Sequence, residues 1–286
     1  MTQEARATGY ASFLPQCQTI LQKDCFILGE VMSIQKFIPG IYNYCDRWCE
    51  RCTFTSYCRN YESTGKLSPE QLDMNNKFFW DTVSSNFHKA IELLHKAAIE
   101  HGIDLNKPMT NEEEDAYEKR ESFIKTSTKG HPLPKLCNQY QKCVMQFLKE
   151  SEDMVNKTRE LVSELHMGLK SEEEVVYTVA DIGDCFDIIQ WYLFFIEVKL
   201  QRALHGKLKG EDWEEDNVYQ KDSDGSAKIA IVAIDKSINC WVKIYELMPS
   251  AEDTALTSLS FLSKIKTLAL EEFPKAMEFK RAGFDD

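Results

Sequence analysis

SEEEVVYTVADIGDCFDIIQWYLFFIEVKLQRALHG, residues 171–206, is the stretch on which the fold turns. Ser171 followed three residues later by Glu174 makes a capping-box start. Ile182, Phe186, Ile189, Leu193 and Leu204 then fall on one helical stripe, and His205-Gly206 closes it. Its most apolar part, Ile188 to Val198, is eleven residues long and interrupted by Gln190 and Glu197. That is well short of the roughly 20 residues a bilayer demands, so the stretch reads as a core helix.

Outward from it the same periodicity recurs. Pro134 starts a helix carrying Cys137, Tyr140, Val144, Phe147, Leu161 and Leu165, with Gly168 as its stop. Only a few residues separate that helix from Ser171, so the two must run antiparallel, at a length of about 50 Å. Ser68-Pro69-Glu70-Gln71 opens another helix, with Trp80, Val83, Phe87, Ile91, Leu94 and Ala98 as its apolar stripe and Gly102 as its end. Residues 103–133, with NEEEDAYEKRES, read as a solvated connection with room for one short helix, and residues 207–225 as a second, acidic crossing. Helix resumes at Ser226 through Ile231, Ile234, Ile238, Trp241 and Tyr245, and a last one carries Leu256, Leu259, Leu262, Ile265 and Phe273. Residues 10–38 also fit a helix through Leu14, Cys17, Leu21, Cys25, Leu28 and Met32. No period-two run argues for a sheet. The expectation is an all-α chain: an antiparallel bundle of five to six long helices over residues 67–286, with a small Cys-rich metal-binding module in residues 1–66 packed against it.

With 34 basic and 46 acidic residues the 286-residue chain carries a net charge of −12, which repels phosphate backbones and anionic lipid. No nucleic acid and no membrane is expected as partner. MTQEARATGYASF lacks the features of a secretory signal, so a cytoplasmic location is expected. A reducing compartment moves clustered cysteines toward metal and scattered ones (Cys17, Cys25, Cys137, Cys143, Cys185, Cys240) toward packing.

The cluster is YNYCDRWCERCTFTSYCRNY, residues 42–61, in which Cys45, Cys49, Cys52 and Cys58 make a Cx3Cx2Cx5C array. It is more compact than the paired knuckles of a zinc ribbon. Its spacing suits one loop wrapped around a [4Fe–4S] cubane, whose iron corners each take a thiolate, and a tight four-thiolate Zn²⁺ site fits equally on geometry. Arg47 and Arg51 stand where they can offset the −2 charge left on either centre, and Trp48 with the neighbouring tyrosines can shield it. Cx3Cx2C is also the spacing of the radical S-adenosylmethionine enzymes. Those resemble one another in a barrel of alternating strands and helices, whereas helix follows helix here and Cys58 fills the open iron position, so that activity is not carried over.

Two further groups merit weighing. Glu92 and His95 form an ExxH element with His88 one turn earlier, the arrangement by which ferritin-like metal oxidases hold one iron. No second ExxH occurs, and a solvated helix edge is the plainer reading. Gln190, Glu197 and Gln201 share the apolar stripe of residues 171–206, so Glu197 must be protonated, paired or hydrogen-bonded there. A structural polar network is the plainer reading, and a ligand or proton-handling pocket the sharper one. No phosphate loop, dinucleotide fingerprint or catalytic triad signature is present. The chain therefore reads as a metal- or iron–sulfur-binding helical protein with an interaction, assembly or regulatory role and an unidentified protein partner. The alternative is an iron–sulfur redox enzyme or electron carrier with a pocket near Glu197.

Overall fold

Ser171 does open a helix: its hydroxyl accepts the Glu174 amide, and the Glu174 carboxylate accepts the Ser171 amide at 2.8 Å. The computed structural model describes residues 36–64, 67–105, 107–150, 152–210 and 220–285. Among them lie nine α-helices and no strand: α1 (Arg59–Thr64), α2 (Pro69–Leu72), α3 (Lys77–Glu100), α4 (Asn111–Gly130), α5 (Pro132–Glu150), α6 (Asp153–His166), α7 (Glu172–Lys209), α8 (Asp222–Leu247) and α9 (Glu252–Glu272). No helix among these residues is long and apolar enough to cross a membrane.

The 38 residues of α7 make a rod of about 57 Å. It is the spine of the molecule. Lys243 bonds Asp181 at 2.5 Å and Lys236 bonds Tyr192 at 2.8 Å, so numbers rise along α7 as they fall along α8, and the pair is antiparallel. Ile182, Cys185, Ile189, Ile196 and Leu200 of α7 are buried against Ala227, Ile231, Ile234, Trp241 and Ile244 of α8. α5 packs on α7 with Leu133, Cys137, Tyr140 and Val144, α9 packs on α8 with Leu262, Ile265 and Ala269, and α5 and α9 meet each other. The buried indole of Trp241 donates to the Tyr140 hydroxyl at 3.1 Å, so the deepest polar groups satisfy each other.

Several boundaries differ from the sequence expectation, each for a local reason. The helix begun at Ser68 has its capping box but stops at Leu72, because the side chains of Asp73 and Asn76 take the Asn75 and Phe78 amides and restart the chain as α3. The supposed connection 103–133 contains the 20-residue α4, opened by a capping box at Thr110 and Glu113. The helix expected over 134–168 is two, α5 and α6. α7 runs beyond Gly206 to Lys209, where Gly210 at φ 67° ends it, and α8 begins at Asp222, earlier than Ser226. The helical reading of residues 10–38 falls almost wholly outside the described residues, as do Cys17 and Cys25.

Candidate metal centre

Residues 36–64 approach the bundle as a loop stiffened by two successive 3₁₀ turns, Cys49–Arg51 and Thr55–Tyr57. Cys49 opens the first. Cys52 and Cys58 are the extended residues that end the two turns, their amides bonding Cys49 and Thr55 carbonyls at 3.2 Å. Arg47 supplies the bend before them with φ 57°, a left-handed conformation unusual for a residue with a side chain. The result brings Cys45, Cys49, Cys52 and Cys58 to the wall of one small cavity of about 20 Å³, with Phe54 and Phe284 among its apolar lining.

All four thiols are free and half-buried. Burial pushes the Cys49 thiol up, and the charges of Cys45, Cys52 and Cys58 act in the same direction. Burial likewise raises Cys45, while the Arg47 amide hydrogen-bonded to its sulfur opposes the rise. A second amide, that of Phe54, points at the Cys52 sulfur at 3.4 Å. Amides two residues beyond a cysteine and aimed at its sulfur stabilise thiolate, the form that ligates metal. Yet among the described residues no group of three or more Cys, His, Asp or Glu side chains is gathered so that it could hold a metal ion. The thiols share a cavity without closing on a point.

The bundle anchors this loop through Asp46. Its carboxylate accepts the Trp48 amide at 3.2 Å, the Tyr192 hydroxyl at 2.6 Å and Lys236 Nζ at 3.2 Å, and its carbonyl accepts the Trp191 indole at 3.1 Å. Burial alone would raise this carboxyl; the bonds from Tyr192 and Trp48 and the charge of Lys236 outweigh it and hold the group below the usual carboxylate range. Trp48 stacks on Trp191 at 4.8 Å, and the Arg51 guanidinium lies 4.0 Å over Trp48 while pairing with Asp184 and, at 3.1 Å, with Asp187. Arg51 and Trp48 thus join the loop to α7. Arg47 is exposed, and its amide is the part that reaches the cysteines.

Phe284 is a lining residue with no sequence signal, since the last residues, RAGFDD, carry no periodicity. It meets Phe54 at 5.0 Å because the tail is fastened: Asp285 accepts from Arg281 at 2.8 Å and from Lys228 at 2.7 Å, three groups nearly withdrawn from water. Tyr44 binds Asp222 at 2.8 Å and packs edge-on against Phe279 at 4.6 Å. Gly225 admits both rings, as a Cβ there would lie 2.6 Å from each.

The other candidates are placed as follows. His88, Glu92 and His95 are all exposed on α3, where the His88 ring meets the Ser84 carbonyl at 2.8 Å. Glu197 is half-buried and takes Gln141 at 2.7 Å and Gln201 at 2.8 Å, while Gln190 is exposed and outside the group. Gln141, on α5, is the member that periodicity on α7 alone did not reveal. Beyond Gln201 opens a cleft of about 870 Å³ between α4 and α7, reaching Tyr117, Lys125, Thr128, Arg202 and His205. The Thr128 hydroxyl is buried there without a partner among the described residues. No family model matches the sequence, and comparison with curated proteins and with solved structures finds no similar protein.

Proposed function

We propose that Cys45, Cys49, Cys52 and Cys58 ligate a [4Fe–4S] cluster and that the chain is a cluster-binding helical protein with an assembly or regulatory role. The observation that carries this reading is that Cys45, Cys49, Cys52 and Cys58 all line one apolar cavity, with backbone amides directed at two of the sulfurs. Zinc at ~2.3 Å from each of four sulfurs needs them only about 3.8 Å apart. A cubane takes its thiolates on four separate iron corners, so its four ligands need not meet at one point. When bound, such a cluster supplies one-electron redox chemistry. The residues of the chain do the rest: Trp48, Phe54 and Phe284 exclude water, Arg51 lends positive charge beside the loop, and Asp46 fixes the loop to α7 and α8. Anaerobically purified protein is expected to show an absorbance band near about 400 nm that dithionite bleaches. A colourless protein holding one zinc overturns the reading in favour of Zn²⁺.

A second reading, an iron–sulfur redox enzyme, is favoured by the cleft between α4 and α7. Its volume of about 870 Å³ is that of a small-molecule site, and the orphaned Thr128 hydroxyl and the Glu197 network offer polar contacts. It lies close to the loop, since Arg202 on its wall binds Asp222, which also accepts Tyr44, the neighbour of Cys45. A ligand that shifts the midpoint potential of the bound cluster, and no longer does so after Arg202→Ala, would favour this reading over an assembly role.

A further inference from the structure

Cys185 of α7 and Cys240 of α8 meet across the most extensive helix pair of the described chain. Ile182, Cys185, Ile189, Tyr192 and Ile196 recur at threes and fours along α7, as Ala233, Ser237, Cys240 and Ile244 do along α8, and all of them are buried. The Lys243–Asp181 bond fixes the register. Lys243 stands three residues beyond Cys240 and Asp181 four before Cys185, so each thiol lies one turn from that bond and level with the other. Helices packed about 8–10 Å apart, with Cα atoms at a radius of about 2.3 Å, leave roughly 4–6 Å between facing seam positions. A disulfide spans about 4.4–6.8 Å between Cα atoms. Both sulfurs are free. The Cys240 thiol donates to the Cys185 sulfur, and that bond, helped by the Lys243 ammonium, outweighs burial and the charges of Asp181 and Asp184 to hold Cys185 below the ordinary thiol value. The same bond, with burial, pushes Cys240 up. One sulfur is prepared as nucleophile and the other keeps its proton.

We propose that Cys185 and Cys240 are a modification site, closing a reversible disulfide across the α7–α8 seam when the protein meets a peroxide. The Cys185 thiolate attacks one oxygen of hydrogen peroxide, so that an S–O bond forms, the O–O bond breaks and hydroxide leaves to become water. The Cys240 sulfur then attacks the Cys185 sulfur. An S–S bond forms, the S–O bond breaks, and the departing hydroxide takes the Cys240 proton as a second water. The two sulfurs lose two electrons and the peroxide gains them. Dithiothreitol, itself oxidised to a cyclic disulfide, restores both thiols by exchange. The residues are 2 and 5 % exposed, so the oxidant must be small, and they lie one turn from the half-exposed Lys243–Asp181 pair at the rim of the seam. Tyr192 of α7 and Lys236 of α8 hold Asp46 between them, so a staple joining the two helices also fixes the seat of the cysteine loop. The pair acts whether or not that loop carries metal.

Hydrogen peroxide added to the folded full chain, followed by alkylation, trypsin and mass spectrometry without reductant, tests this. The expected product is a cross-link between the peptides of residues 237–243 and 171–199, each of which holds one cysteine, and dithiothreitol removes it. The urea midpoint of the oxidised protein should lie about 1 M above that of the reduced protein, because the bond closes a long loop of the unfolded chain. Cys240→Ala should abolish both the cross-link and the shift, with each protein compared to its own reduced form so that any effect of the substitution on stability cancels. Peroxide-treated protein in which Cys185 and Cys240 still alkylate after unfolding overturns the proposal. So does their pairing with other cysteines, their conversion to sulfinic acid instead, or a midpoint shift that survives Cys240→Ala.

Discussion

Asp46 is the residue on which the cysteine loop hangs. One carboxylate takes three donors and its own carbonyl takes a fourth, so exchanging one carboxylate oxygen for an amide NH₂ removes the charge that Lys236 faces and leaves too few acceptors for Trp48, Tyr192 and Lys236. Asp46→Asn is expected to cost about 1–3 kcal/mol in urea unfolding and to loosen metal binding without removing any ligand. Cys49→Ser should act differently. It removes a thiol at the start of the first 3₁₀ turn, where the bundle takes no part, so retained iron should fall at least about tenfold while the unfolding midpoint of the metal-free protein stays where it was. A Cys49→Ser protein that keeps its full iron would place the iron elsewhere.

At the scale of elements, the fit of the loop to α8 depends on Gly225. Tyr44 and Phe279 rest where a methyl group would stand, so Gly225→Ala must displace two rings that are braced by Asp222 and by the core. The expected destabilisation is about 1–3 kcal/mol, measured by urea titration, despite the better helix propensity of alanine. The strong helices were legible in sequence for a plain reason: α5, α7 and α8 bury a stripe along most of their length, and burial is what the periodicity records. α4 buries only Ile124 and Thr128, so its polar run gave no stripe, although Thr110 and Glu113 spelled its start. α3 misled in the opposite sense. Its stripe is real, but the described chain does not cover it, because a pattern tells which face is apolar and not what lies against it.

Over the whole molecule the carboxyl end returns to close the cavity formed near the other end of the described chain. Phe284 is held against Phe54 by the triad Arg281, Asp285 and Lys228, and the bidentate bond from Arg281, helped by Lys228, holds the Asp285 carboxyl well below the usual carboxylate range. A depressed carboxylate stabilises the fold fully above its unfolded pKa, near ~3.9, and loses that contribution as pH falls through its folded value. Asp285→Asn should therefore cost about 3–5 kcal/mol between pH 5 and 7, with the gap to the parent protein narrowing below about pH 4 in acid unfolding curves. The spacing alone made the four cysteines candidates, whereas Phe284, more than two hundred residues away, gave no such signal, because only the folded chain brings it to the cavity they line.

Iron, zinc and acid-labile sulfide measured together on anaerobically purified protein decide whether the cysteine loop holds an iron–sulfur cubane. About four iron and four sulfide per chain with no zinc are expected. One zinc without sulfide, or no metal at all, would contradict the cubane.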